Sequence, residues 1–190
     1  MASIVDAPDW SAIPAPTDDG ATRHLTGRPM AAVPLQSTDG NMVDLTALRG
    51  QAIVYAYPRT RKPGVDTPDG WDMIPGTRGC TPQTCSFRDH FAELKGLGID
   101  HLFGLSTQDQ GYQCEAAGRL HLPFAILSDE RLTLTHAMKL PTFEASGMTL
   151  LKRFTLVITD STVEHVFYPV FPPDRSARDV IEWLSQRQLS

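Results

Sequence analysis

Two cysteines that lie five residues apart, Cys80 and Cys85, are the residues of this chain best suited to covalent chemistry. Cys80 follows Gly79 and precedes Thr81 and Pro82, a pattern typical of the first turn of a helix. Free backbone N–H groups and the positive end of the helix dipole favour a thiolate at such a place. The sequence therefore makes Cys80 a candidate nucleophile, the alternative being a small buried apolar residue.

The spacing of the two cysteines limits the chemistry open to them. It is not Cys-x-x-Cys, so the simple dithiol exchange motif is absent. On one helix their Cα atoms would be about 8 to 9 Å apart, beyond the roughly 7 Å that a disulfide spans, so a Cys80–Cys85 bond requires the first turn to unwind. Cys114 is expected to be a structural thiol on another helix, the alternative being a second partner for Cys80. No Cys or His spacing suggests zinc, and no metal site is predicted.

Composition excludes several other classes of function. The 190 residues include 17 basic and 22 acidic side chains, a net charge of −5, and no run of Lys and Arg exceeds two residues. We therefore expect no nucleic-acid partner and no membrane partner. The amino-terminal segment lacks the charged start and apolar stretch of a signal peptide, and three cysteines are too few for a disulfide scaffold. A cytoplasmic protein is the expectation.

Apolar runs that alternate with helical patterns predict a largely parallel α/β core. The expected strands are Ala52–Tyr57, His101–Ser106 and Phe124–Ser128, and the expected helices are one of about four turns from Thr81, then Gln108–Leu120 and Glu130–Met138. A hairpin (Ala32–Leu35 with Met42–Leu45) should precede this core, and a second hairpin (Phe154–Ile158 with Val163–Val170) and a helix capped by Asp174 or Ser176 should follow it.

The remaining segments are predicted to be irregular. Residues 1–28 are rich in Pro, Ala, Asp and Gly without periodicity, which indicates an extended arm before a single domain at 29–190. Arg59–Pro75 is a long loop rich in Pro and Gly that contains Trp71. A tryptophan in such a loop must pack somewhere: it can anchor the loop, line a substrate pocket or form a subunit contact.

The segment from Gly76 to Asp89 resembles the active-site segment of the peroxiredoxins. It reads Gly-Thr-Arg-Gly-Cys-Thr-Pro-Gln-Thr-Cys-Ser-Phe-Arg-Asp, and the Q-type (bacterioferritin comigratory protein) branch has the pattern Thr-x-x-Cys-Thr-x-x-x-Cys-x-Phe-Arg-Asp. Further landmarks resemble the family in the same order, so that residues from about 30 to 188 are covered: Leu45–Gly50, Tyr57-Pro58, Leu127–Asp129 and Arg153–Ile158.

The resemblance implies a thioredoxin-like fold, a mixed central sheet flanked by helices with an amino-terminal β-hairpin extension. It implies a thiol-dependent peroxidase that reduces hydrogen peroxide and organic hydroperoxides without a cofactor. Cys80 would be the peroxidatic cysteine, and Cys85 would resolve its sulfenic acid as an intramolecular disulfide. Thr77 would supply a hydroxyl that binds the thiolate and the peroxide, and Arg153 a guanidinium near the sulfur. Without the resemblance, Thr77 would be interpreted as a turn residue, and Arg153 could equally be a surface charge at a strand end.

The resemblance leaves the pocket and the partners open. The family's proline lies four residues before the threonine, where this chain has Met73, so Pro58 and Pro75 are both candidates to shield the sulfur and line the substrate pocket with Trp71. The implied partners are a hydroperoxide and a thioredoxin-like or other dithiol reductant, and the chain would be a monomer or homodimer. Two alternatives remain, a peroxide-responsive redox sensor and a thiol-disulfide oxidoreductase on the same fold.

Overall fold

The computed structural model describes residues 9–189. Its strands in chain order are β1 (Pro34–Ser37), β2 (Met42–Asp44), β3 (Gln51–Ala56), β4 (Ile99–Ser106), β5 (Ala125–Ser128), β6 (Thr142–Ala145), β7 (Met148–Leu151), β8 (Phe154–Thr159) and β9 (Thr162–Phe167). Its α-helices are α1 (Cys80–Asp89), α2 (Phe91–Gly96), α3 (Gln110–Arg119), α4 (Thr133–Met138) and α5 (Ser176–Gln188). None of these helices is long and apolar enough to cross a membrane.

Seven strands form one mixed sheet in the order β2-β1-β5-β4-β3-β8-β9. The strands β3, β4 and β5 are parallel neighbours, β8 and β9 add antiparallel strands on one side, and the hairpin β1-β2 joins the other side antiparallel to β5. The strands β6 and β7 form a separate hairpin. The predicted mixed sheet with an amino-terminal hairpin is confirmed.

The central strand β3 is buried on both faces, as its continuous apolar run predicted. Alternate side chains enter two different core clusters, because successive residues of a strand point to opposite faces. Ala52, Val54 and Ala56 face one cluster, whereas Ile53, Tyr55 and Tyr57 face the other. Cys80 and Phe87 of α1 and Val180 of α5 pack into the tyrosine-containing cluster. The start of α1 is thus held against the carboxyl end of β3.

The predicted four-turn helix is wrong in one respect: it is two helices. The helix α1 ends at Asp89, His90 leaves the helical conformation (φ −102°, ψ 11°), and α2 begins at Phe91. The Nδ1 atom of His90 lies 2.8 Å from the Ser86 carbonyl oxygen, which also accepts the His90 backbone N–H at 3.1 Å. Since Phe87, Phe91 and Leu94 still face the core across the break, hydrophobic periodicity could not reveal it.

Other element ends also differ from expectation. Neither Asp174 nor Ser176 caps α5: a 3₁₀ turn (Pro173–Arg175) leads directly into the helix, and among the described residues no side chain accepts a capping hydrogen bond from its first backbone N–H groups. The helix α4 begins three residues later than predicted, since Leu132 has a left-handed backbone and the Asp129 carboxylate binds the N–H groups of Leu134 and Thr135. The hairpin β6-β7 was not predicted.

The predicted amino-terminal arm is described only in part, since residues 1–8 lie outside the described residues. A 3₁₀ turn, Trp10–Ala12, opens the described part. Leu25 is fully buried and belongs to the core cluster on the alanine-containing face of β3. This segment therefore contributes to the packing of the domain, and the division of the chain at residue 28 stays a prediction.

Candidate active site

Cys80 is the first residue of α1, where the chain returns to the sheet after the long loop. Gly79 before it has φ +100°, and a Cβ there would lie 2.5 Å from Pro173 Cγ and 2.8 Å from Trp10 Cη2. Only glycine satisfies both the backbone conformation and this close approach. Cys80 is 4% exposed, and the first-turn N–H groups beside it have no partner within the helix.

Arg153 lies next to the Cys80 sulfur. The residue follows β7, is 3% exposed, and its Nη2 atom donates to Cys80 Sγ at 3.3 Å. The same nitrogen donates to the carbonyl oxygens of Gly76 at 3.1 Å and Arg78 at 3.0 Å. The guanidinium therefore holds the loop before α1 and places a permanent positive charge beside the thiol.

Gln83 holds Arg153 in place, and sequence reasoning missed it. Its side chain is fully buried, its Oε1 atom accepts from Arg153 Nη1, and its Nε2 atom donates to Ser176 Oγ at 3.3 Å. Ser176 Oγ in turn lies 3.3 Å from Thr155 Oγ1. Its spacing from Cys80 could have identified Gln83, since a residue three positions after Cys80 lies on the same face of the helix. Gln83 is a positioning residue for the guanidinium.

Thr77 lies beside the thiol, but its hydroxyl points elsewhere. The Oγ1 atom is 2.5 Å from the Trp71 carbonyl oxygen and 2.9 Å from that of Ile74, so its one proton is directed into the loop. The Thr77 carbonyl oxygen accepts from Cys80 Sγ at 3.5 Å. Among the described residues, no hydrogen bond joins the Thr77 hydroxyl to the Cys80 sulfur. The hydroxyl oxygen still has lone pairs that can accept a hydrogen bond.

Cys85 has different surroundings, although it lies on the same helix. It is half-buried, and among the hydrogen bonds of residues 9–189 none involves its thiol. Burial raises the pKa of the Cys85 thiol and Asp89 adds to the rise, whereas the cations Arg88 and Arg119 oppose it. All three cysteines are free thiols, and Cys114 is exposed on α3.

A cleft of about 180 Å³ opens at Cys80. Trp71 lines this cleft, is 5% exposed, and packs on Ala145 and Leu150, so it both anchors the long loop and forms a pocket wall. Pro58 is buried and does not line the cleft. Pro75 is exposed and lines a second cavity, of about 240 Å³, which Arg153 also lines. The structure thus brings Trp71, Thr77 and Arg153 to Cys80 and places the two prolines elsewhere.

Trp10 is a second cleft residue that the sequence analysis left without a role. Its indole lines the cleft, packs on Gly79 and meets the Phe171 ring edge-on at a centroid distance of 6.2 Å. Its Nε1 atom donates to Asp174 Oδ2 at 2.9 Å. The packing argument applied to Trp71, that a tryptophan in a polar segment must find a partner, could have singled it out.

The described part of the chain contains no cluster of metal-ligating side chains. Among residues 9–189, no group of three or more His, Cys, Asp or Glu side chains could hold a metal ion. The groups that converge on the cleft are a thiol, a guanidinium and backbone N–H groups. This set suits attack by a sulfur nucleophile on a bond whose leaving atom gains negative charge.

Comparisons with known proteins identify the family of this chain. The redoxin family model matches residues 13–181. Peroxiredoxin Bcp of Escherichia coli is 31% identical over 157 residues, which cover 80% of this chain and 90% of that protein. The chloroplastic peroxiredoxin Q of Gentiana triflora is 29% identical over 152 residues, which cover 79% of this chain and 62% of that longer protein.

Solved structures give the fold. Peroxidoxin BcpB of Mycobacterium tuberculosis superposes with a TM-score of 0.68 at 24% identity and covers 85% of this chain and 97% of that one. A PrxQ variant of Xylella fastidiosa gives a TM-score of 0.68 at 16% identity and covers 86% and 96%. The thioredoxin-like fold expected from the sequence is confirmed. The chain belongs to the redoxin family, as a peroxiredoxin of the Bcp or Q type.

Proposed function

We propose that the protein is a dithiol-dependent peroxidase in which Cys80 attacks the hydroperoxide and Cys85 resolves the product. The family supplies the class of reaction, thiol-based peroxide reduction. The observation that carries the assignment to residues is the 3.3 Å contact between Arg153 Nη2 and Cys80 Sγ at the start of α1, beside an open cleft.

In the first step the Cys80 thiolate attacks one peroxide oxygen. The S–O bond forms as the O–O bond breaks, the sulfur is oxidised to a sulfenic acid, and the other oxygen leaves as an alcohol or water after it takes a proton. Arg153 and the first-turn N–H groups stabilise the negative charge on the sulfur and on the leaving oxygen. The free lone pairs of Thr77 Oγ1 can accept a hydrogen bond from the hydroperoxide O–H and so orient the substrate.

In the second step the Cys85 sulfur attacks the Cys80 sulfenic acid. The S–S bond forms and the hydroxyl leaves as water, so the two thiols together have supplied two electrons. Helical geometry keeps the two Cα atoms about 8 to 9 Å apart, so the first turn of α1 must unwind before the bond can close. A thioredoxin-like dithiol protein then reduces the disulfide and restores both thiols.

Sustained turnover separates this function from the two alternatives. With excess hydrogen peroxide and a thioredoxin-type reductant, the peroxidase consumes many equivalents of peroxide for each Cys80. A redox sensor would consume about one equivalent and stop, and that result would contradict the proposal. A thiol-disulfide oxidoreductase would reduce insulin disulfides, an activity that we do not expect because Cys-x-x-Cys is absent. The cytoplasmic location stays a prediction.

A further inference from the structure

The cleft at Cys80 is lined by more positively than negatively charged side chains. Its charged lining residues within the described part of the chain are Arg59, Arg61, Arg78 and one carboxylate, Asp72. Over the whole chain, acidic side chains outnumber basic ones 22 to 17. A positive cleft on an acidic protein concentrates negatively charged small molecules at its mouth.

The single carboxylate leaves most of this charge uncompensated. Asp72 Oδ1 lies 3.5 Å from Arg61 Nη2 and 3.6 Å from Arg78 Nε, so one oxygen serves two cations. All three side chains are well exposed, and ion pairs of that kind are weak and easily exchanged. An incoming anion can therefore take the place of Asp72 on either arginine.

Among residues 9–189, no carboxylate lies within ion-pair distance of Arg59, which instead contacts Tyr112. Its guanidinium carbon lies 5.4 Å from the centroid of the Tyr112 ring, and its Nη2 atom lies 3.4 Å from the Tyr112 hydroxyl. The aromatic contact orients the guanidinium but leaves its charge in place. Arg59 and Arg61 both belong to the long loop at residues 59–75, which thus supplies two of the three cleft arginines.

The uncharged part of the lining is aromatic. Trp10 and Trp71 form walls of the same cleft, and its volume of about 180 Å³ leaves room for a small organic group above Cys80. Hydrogen peroxide has no apolar body and no charge, so it gains no binding energy from the aromatic walls or from Arg59, Arg61 and Arg78. Together they suit a molecule that has a compact apolar body and a negatively charged substituent.

We propose that the cleft selects anionic organic hydroperoxides, in which a carboxylate on an apolar body binds the arginines while the hydroperoxide group reaches Cys80. This inference rests on the proposed peroxidase function and narrows its substrate class. The reaction is the one described above: Cys80 sulfur is oxidised by two electrons, the O–O bond breaks, and the substrate leaves as the corresponding hydroxy acid.

A matched pair of hydroperoxides tests the proposal. One is cumene hydroperoxide with a para carboxylate, and the other is its methyl ester, which has the same reacting group and aromatic body. We expect kcat/KM for the acid to exceed that for the ester by about tenfold at low salt, the lower end of the range for electrostatic steering. Added salt should reduce this ratio towards one, because exposed charges are screened.

Removing a positive charge and removing the negative charge of the cleft should change the acid-to-ester ratio of kcat/KM in opposite directions. Arg61→Gln and Arg78→Gln should each lower the ratio of acid to ester by several fold, and Asp72→Asn should raise it. Arg49→Gln is the matched control, since it removes one exposed positive charge at the amino end of β3, away from the cleft. The ratio should be unchanged in this variant. Using a ratio cancels any effect of a substitution on the reactivity of Cys80 itself.

Three results would overturn the inference while leaving the peroxidase intact. The first is equal kcat/KM for the acid and the ester in wild-type protein. The second is a preference for the acid that the cleft variants do not change. The third is that the cleft variants change only the KM for the reducing protein. That result would mean that the arginines bind an acidic dithiol partner and not the hydroperoxide. If the protein turns over none of the three substrates (the acid, the ester and hydrogen peroxide), the proposed function itself is contradicted.

Discussion

The two thiols of α1 occupy contrasting environments one and a half turns apart. Cys80 is almost fully buried, contacts Arg153, and follows a glycine clamped between Trp10 and Pro173. Cys85 is half-buried, without a hydrogen bond among the described residues, and burial raises the pKa of its thiol. The helix that places the Cys80 thiol beside Arg153 also holds the Cys85 thiol away from it. In the proposed mechanism, Cys80 performs the first chemical step, and Cys85 becomes its partner only after α1 opens.

The largest effect is expected at Cys80. Cys80→Ser should abolish peroxide consumption, because a serine hydroxyl supplies almost no anionic nucleophile at neutral pH. The measurement is peroxide loss coupled to oxidation of a dithiol donor. Cys114→Ser is the control and should turn over like the wild type. Retained activity in Cys80→Ser would remove Cys80 from the mechanism altogether.

The next largest effect concerns the fate of the sulfenic acid. Cys85→Ser should still react once with peroxide, but the Cys80 sulfenic acid should then persist and be oxidised to sulfinic acid, because no nearby thiol traps it. Intact-mass spectrometry at increasing peroxide should detect the added oxygens at concentrations that leave the wild type as a disulfide. If Cys85→Ser resists over-oxidation as well as the wild type does, another thiol resolves Cys80.

Arg153→Lys should lower kcat/KM for hydrogen peroxide by roughly 10- to 100-fold. A lysine ammonium cannot reach the sulfur, Gln83 and the loop carbonyls at once, and loss of one such donor costs about 10²–10³ in rate in other enzymes. Arg131→Lys, at an exposed position outside the cleft, is the matched control and should leave the rate unchanged. Wild-type kinetics in Arg153→Lys would mean that the contact with Cys80 Sγ is not used.

Much of this arrangement could be predicted from local sequence signals. The apolar run of β3 and the Gly-Cys-Thr-Pro start of α1 are each encoded within a few neighbouring residues. The break at His90 was missed because the apolar spacing continues across it, and the short hairpin β6-β7 has no strong alternation. Gln83 and Trp10 were missed for a different reason: their partners Arg153 and Asp174 are 70 and 164 residues away, and such contacts exist only in the folded chain.

The smallest effect is expected at Trp10, which packs on Gly79 and so opposes opening of α1. Its Nε1 atom is bound to Asp174, whose buried Oδ1 atom has no partner among the described residues. Trp10→Ala should therefore destabilise the start of α1 and speed disulfide formation by several fold. Trp10→Phe keeps the ring but loses the N–H and should be intermediate. Hydrogen exchange of residues 80–88 should rise in the same order, and unchanged exchange would contradict this role.

In the proposed mechanism, oxidation joins Cys80 to Cys85 through unwinding of α1. The most direct test is peptide mapping by mass spectrometry under non-reducing conditions, after the wild-type protein has reacted with one equivalent of peroxide. We expect a Cys80–Cys85 disulfide as the main product, with Cys114 still a free thiol. A Cys80–Cys114 bridged peptide as the main product, or a disulfide between two chains, would contradict it.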